Sequence, residues 1–241
     1  MAKVKKFSSI LLVPILSFTL IAQSDPFEST YEPLPSENIL IQDANIYDGD
    51  GNEFSETDVL IQNGKIVAIG RDLPATNEFK VIDAAGKWVT PGIIDIHSHM
   101  GVYPAPGVRT SSDGNEATSP VTADVWAEHS IWVQDPQYAL ALKGGVTAFH
   151  ILPGSANLIG GRGVTVKNIQ RNTINSMKFP NAPHSLKMAC GENPKRVYGN
   201  RSQAPSTRMG NAAGYRKAWI EAEAYLNRQL EYESKSDEAK E

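Results

Sequence analysis

With 241 residues, 41% of them hydrophobic and 21% charged, the chain has ordinary globular composition, which excludes wholesale disorder and suits one large domain or a large one with a small one. A formal net charge of −4 and a pI near 5.8 give no reason to expect nucleic-acid binding, so a small or polar substrate is the expected partner. Cys190 is the single cysteine, which excludes an intrachain disulfide and any multi-thiolate metal site.

Lys3, Lys5 and Lys6 precede an apolar run from Ile10 to Ala22, the pattern of an export signal, and residues 1–24 are set aside from the fold on that ground. The run is broken by Pro14 and falls short of the ~20 residues that span a bilayer, so a cleaved signal and no stable membrane anchor are expected. The protein is therefore expected to be exported, periplasmic or secreted. Residues 25–38 hold Pro26, Pro33 and Pro35 among polar side chains and read as an exposed linker.

From Ile39 the pattern changes to short β runs. Ile39 to Ile41, Ala44 to Tyr47, Val59 to Ile61, Lys65 to Ile69 and Phe79 to Ile82 are separated by Asp48-Gly49-Asp50-Gly51 and by Asn63-Gly64. Asn-Gly between apolar runs is a hairpin signal because both turn residues tolerate positive φ. A small antiparallel sheet over residues 39–90 follows. After Pro91-Gly92, the stretch Ile93 to His99 is nearly continuously apolar, as suits a strand buried on both faces. A helix over Asp135 to Lys143, a stop at Gly144-Gly145 and a strand from Val146 to Leu152 then begin a series of β/α units. Further strands are expected at Gly163 to Lys167 and Ser185 to Cys190. Tyr215, Trp219, Ala222, Leu226 and Leu230 fall at helical spacing, and Glu231 to Glu241 reads as a solvated end.

Side chains at i and i+2 of a strand share a face, so His97 and His99 can present two imidazoles to one metal ion at the strand's C-terminal end, where barrel active sites lie. Asp95 is expected to orient backbone or neighbouring groups. His150 reads as a satisfied core histidine, and His129 and His184 as surface residues. Arg162 and Asn157, in the Gly-rich stretch after the second barrel strand, are the candidates for substrate binding.

The ordered set Gly64-Lys65-Ile66-Val67-Ala68-Ile69-Gly70, Ile82-Asp83-Ala84, Gly86-Lys87 and Val89-Thr90-Pro91-Gly92-Ile93-Ile94-Asp95-Ile96-His97-Ser98-His99 resembles the N-terminal signature of the metal-dependent amidohydrolase superfamily. Gly144-Gly145-Val146-Thr147 resembles its second barrel strand, and within the superfamily the likeness is to exported, imidazolonepropionase-like enzymes. The resemblance implies an α/β fold, with a small β-sandwich portion over 39–90 followed over 91–241 by the first strands and helices of an incomplete (β/α)8 barrel. It implies one or two divalent ions, commonly zinc, and hydrolysis of C–N bonds in a small amide, cyclic amide or peptide by metal-activated water. His97 and His99 carry over as the first two ligands. A third comes from Glu192, the preferred candidate, or from Lys187 as a carboxylated lysine. A complete barrel takes ~250 residues, and no histidine follows His184, so the later ligands and any catalytic acid or base are unassigned. A truncated or split form is expected, covered by a complementary chain or a second copy. The competing reading is a non-catalytic exported module or an inactive remnant.

Overall fold

A computed structural model describes residues 25–235, so the export signal and the last residues of the charged end lie outside the described residues. The first sheet is built from β1 (Ile39–Tyr47), β2 (Glu53–Gln62), β3 (Lys65–Gly70), β4 (Lys80–Asp83) and β5 (Trp88–Val89). Its order is β3-β2-β1-β4, with β5 also on β1. Asn63 and Gly64 both take positive φ, 50° and 71°, and close the β2–β3 hairpin as their sequence requires. The two runs expected at Ile39 and Ala44 are one strand, bent by a register shift where Asp43 enters the left-handed region at φ 58°. The sheet is mixed and not purely antiparallel, because β4 and β5 both run parallel to β1. Ala44, Ile46, Val59 and Ala84 form its buried face.

The second sheet carries His97 and leads into His99. Its strands are β6 (Ile93–Ser98), β7 (Val146–Ile151), β8 (Ile159–Lys167) and β9 (Ser185–Met188), in that spatial order. β6 and β7 are parallel, whereas β8 runs antiparallel to both β7 and β9. A continuous series of parallel β/α units is thus interrupted. Only residues 152–158 join β7 to β8, fewer than the dozen or so that a parallel crossover needs, so β8 must return as a hairpin partner. Val102, Tyr138, Phe149, Ile151, Val164, Val166 and Met177 pack into one core behind this sheet. The sheet therefore forms an incomplete barrel wall.

β6 departs from the expected strand buried on both faces. Among the described residues β7 is its only strand partner, and Ile96 is 76% exposed, with Ile93 and Ile94 also open to solvent. Asp135, at the entry to α1 (Gln137–Lys143), accepts hydrogen bonds from the backbone N–H groups of Gly101, Ala105 and Gln137 and so fixes the long loop after β6. Beyond β9, α2 (Glu192–Gly199) and α3 (Arg208–Glu233) pack on each other. Thr207 caps α3, its side chain accepting from Gly210 N–H at 3.0 Å. Thr207→Ala is expected to lower stability by about 1 kcal/mol, readable as a shift in the urea midpoint, with Thr207→Ser restoring it. Among the described residues no helix is long and apolar enough to cross a membrane.

Residues 25–38 contain no helix or strand, but the first half is not a free linker. The buried Lys178 ammonium draws in Asp25 at 2.5 Å, Phe27 sets its ring edge-on to Trp126 and His129, and Ser29 and Thr30 bond to the backbone of Lys178 and Asn175. A buried cation needs anionic company, and this segment provides part of it.

Candidate active site

His97 lies on β6, and His99 stands just past its end. Their rings meet edge to face with centroids 5.4 Å apart. Asp95 accepts the backbone N–H of His97 at 3.1 Å, so this carboxylate orients backbone as expected. His99 Nδ1 lies 2.8 Å from the carbonyl of Leu152. A carbonyl only accepts, so the neutral ring carries its proton on Nδ1 and leaves the Nε2 lone pair uncommitted. The loop after β7 thereby sets the tautomer of the residue that follows β6.

Lys187, on β9, brings its Nζ to 3.0 Å from His97 Nε2. Only 8% of this residue is exposed, and no carboxylate is paired with it in any ion pair of the described residues. Burial pushes the Lys187 amine below the usual lysine range. The neighbouring Lys187 charge, then burial, then His99 push His97 below its ordinary value, with Asp95 opposing. Each of these shifts disfavours a cation where the two side chains meet.

Glu192 is not brought to the histidines. The chain turns into α2 at this residue, so its side chain is 63% exposed and pairs with Arg196 at 2.8 Å, a favourable place for a carboxylate at a helix start. Asn157 is a correction as well. It is buried, and its amide donates to the carbonyls of Glu116 and Ser119 and to Thr122 Oγ1, which spends it on holding a loop. Arg162 lies over the Trp126 ring at 4.3 Å and lines a cleft of about 640 Å³ with Asp25, Lys178 and His184. His184 is partly buried rather than superficial, bonded to Gly163 O and paired with Asp25 at 3.2 Å, whereas His129 is half exposed as expected.

His150 has both ring nitrogens engaged, Nδ1 with Thr165 Oγ1 at 2.9 Å and Nε2 with Ser185 Oγ at 2.6 Å, as a satisfied core histidine should. Burial first, then the charges of His184 and His97, lower its pKa. The unfolded chain therefore binds this proton more readily, and stability from the neutral ring is present above about pH 6.5 and lost as pH falls below it. Thermal midpoints between pH 7.5 and pH 5 are expected to fall more steeply in the wild type than in His150→Gln. Equal slopes would remove His150 from the acid response.

Two features gave no sequence signal. One is the buried group of Lys178, Glu128 and Asp25, whose members are far apart in the chain. The other is Tyr103, whose ring meets that of His99 edge to face with centroids 5.7 Å apart and whose phenol burial raises above its ordinary pKa. Among the described residues no group of three or more His, Cys, Asp or Glu side chains is placed to hold a metal ion. A third donor beside the histidines would have to come from another residue type.

No family model matches the chain. It is 35% identical over 212 residues to amidohydrolase tasK of Hapsidospora irregularis, covering 83% of this chain and 21% of that protein. It is 34% identical over 93 residues to dihydropyrimidinase of Rattus norvegicus, covering 37% of this chain and 17% of that one. The crystal structure of an amidohydrolase from Thermotoga maritima superimposes with a TM-score of 0.74 at 39% identity, over 82% of this chain and 50% of the other. The chain thus spans about a fifth of these curated relatives and half of the solved one. Extended likeness in sequence and in three dimensions, over the region that holds the paired histidines and the incomplete barrel wall, makes this chain a member of the amidohydrolase superfamily.

Proposed function

We propose that the chain carries part of the metal site of a hydrolase that cleaves C–N bonds in small amides, cyclic amides or peptides. The observation that carries this reading is the meeting of His97 Nε2 and Lys187 Nζ at 3.0 Å, beside a His99 whose Nε2 is left free. Two imidazoles and one oxygen donor are a set that suits zinc with a position left open. One or two divalent ions bound there would supply Lewis acidity, lowering the pKa of water towards neutrality and polarising a scissile carbonyl.

An ammonium at Lys187 would repel such an ion, so the fit depends on the side chain's other form. The neutral amine, favoured by burial, can add carbon dioxide: the nitrogen forms a bond to carbon, one N–H proton leaves, and an anionic carbamate replaces the cation. That is the carboxylated lysine implied by the family resemblance, and it would turn the one poor donor of the cluster into a hard oxygen ligand. With zinc and ¹³C-bicarbonate, the wild type is expected to show a carbamate ¹³C resonance that is absent in Lys187→Ala. Stoichiometric zinc without that resonance would overturn the role given to Lys187.

The names of the relatives support the reaction class, since amidohydrolase and dihydropyrimidinase both denote C–N bond hydrolysis. Bound zinc without turnover of any amide would favour the non-catalytic module instead. We place the protein in the periplasm or outside the cell on the basic and apolar start of its sequence. The open β6 edge favours association with a complementary polypeptide or a second copy. Sedimentation of a species larger than one chain is the expected sign.

A further inference from the structure

Tyr103 follows the histidine pair on the loop after β6, and its ring is held where it has little freedom. A side chain at Gly114 would overlap that ring, and one at Gly154 would come within 2.5 Å of the phenol oxygen and overlap the Asn115 amide. Gly154 N–H donates to Gly114 O at 2.7 Å, which joins the two walls of the slot. The open side of Tyr103, 39% exposed, lines a cleft of about 320 Å³ that also includes Arg109.

The hydrogen bonds fix where the phenol proton is available. Asn115 Oδ1 accepts from Ala156 N–H at 2.8 Å, so the amide cannot turn, and Asn115 Nδ2 is the atom that faces the phenol and donates to its oxygen. A phenol oxygen that accepts from an amide keeps its own O–H to give. Among the described residues Tyr103 Oη makes no other hydrogen bond, and its ring meets that of His99 edge to face with centroids 5.7 Å apart. The result is a preorganised, unspent donor beside the candidate metal ligands, the arrangement that best stabilises charge on an oxygen.

We propose that Tyr103 is a substrate-binding donor of this site, its O–H holding the oxygen of the scissile carbonyl, with Asn115 and the two glycines as its positioning partners. This rests on the reading of His97 and His99 as metal ligands. The substrate class it selects is a small acyl compound whose carbonyl oxygen, or the negative charge developing on it, reaches Tyr103 while the same group faces the histidines.

Acetohydroxamate is a suitable probe, because it presents such an oxygen together with a metal-seeking group. Its affinity for the zinc-loaded chain, measured by calorimetry, is expected to fall about tenfold or more in Tyr103→Phe, while zinc content and thermal midpoint stay at wild-type values. Asn115→Asp is the sharper variant: its carboxylate accepts the phenol proton, so binding should weaken to the same degree although the tyrosine is still there. Wild-type affinity in both variants, or no acetohydroxamate binding by a zinc-loaded wild type, would overturn the role of Tyr103 and leave the metal reading standing. Loss of zinc in both variants would also overturn it, by making Tyr103 a support of the ligand geometry. No zinc in the wild type would remove the metal reading and this inference together.

Discussion

Lys178→Met should destabilise the fold by about 3–5 kcal/mol, because it takes the cation from a buried carboxylate without taking the carboxylate away. The Lys178 and Glu128 side chains are 4% and 1% exposed, with Nζ and Oε2 2.9 Å apart. Among the described residues no hydrogen bond of good geometry reaches either Glu128 oxygen, so Lys178 is its main compensation. Asp25 completes the group from the N-terminal segment, and its loss of a partner adds to the cost. Urea unfolding is the measurement. Lys178→Met combined with Glu128→Leu should recover most of the loss, since an apolar pair of similar volume leaves no charge stranded. A single-variant loss below about 1 kcal/mol would show that water reaches Glu128 and that the cluster does not bind the N-terminal segment to the sheet.

The second large effect concerns the histidines. Removing one of the few protein ligands of a zinc site whose total binding is about 10–16 kcal/mol should weaken the ion by roughly 10²- to 10³-fold. His97→Ala and His99→Ala are each expected to show that loss in a competition titration with a chelating dye. His150→Ala should not, because both nitrogens of that ring are engaged with Thr165 and Ser185. Equal loss in all three would mean that the substitutions act through folding and not through ligation. Because the Leu152 carbonyl sets the His99 tautomer, the loop after β7 is expected to be a secondary determinant of that affinity.

The sequence made the strands and the pair of imidazoles legible through strong local signals. Asn63-Gly64 specifies its hairpin wherever it stands, and two histidines at i and i+2 share a strand face wherever the strand goes. The direction of β8 was legible only in the short link between the strands expected to end at Leu152 and to begin at Gly163, which the structure shortens to residues 152–158. The third ligand candidate turned on where β9 stops. Had the strand run on to Cys190, Glu192 would have stood at its end, but β9 closes at Met188 and α2 opens at Glu192, which turns that carboxylate to solvent. Lys187 had the better claim by alternation, since it shares a strand face with Ser185, the partner of His150.

Tertiary assembly explains the remaining differences. Asn157 sits among glycines like a binding residue, yet carbonyls some forty residues earlier consume its donors. Lys178, Glu128 and Asp25 gave no local pattern because each is an ordinary charged residue in its own segment. The apolar run of β6 predicts a doubly buried strand, whereas burial depends on neighbours, and the described fold gives this strand one.

Native mass spectrometry of the purified wild-type chain, after equilibration with zinc and removal of free metal, tests the proposed chemistry most directly. One or two zinc ions retained per chain is the expected result, with retention dependent on His97, His99 and Lys187. A folded chain that retains none would contradict it, and would mean that the family signature persists here without a working metal site.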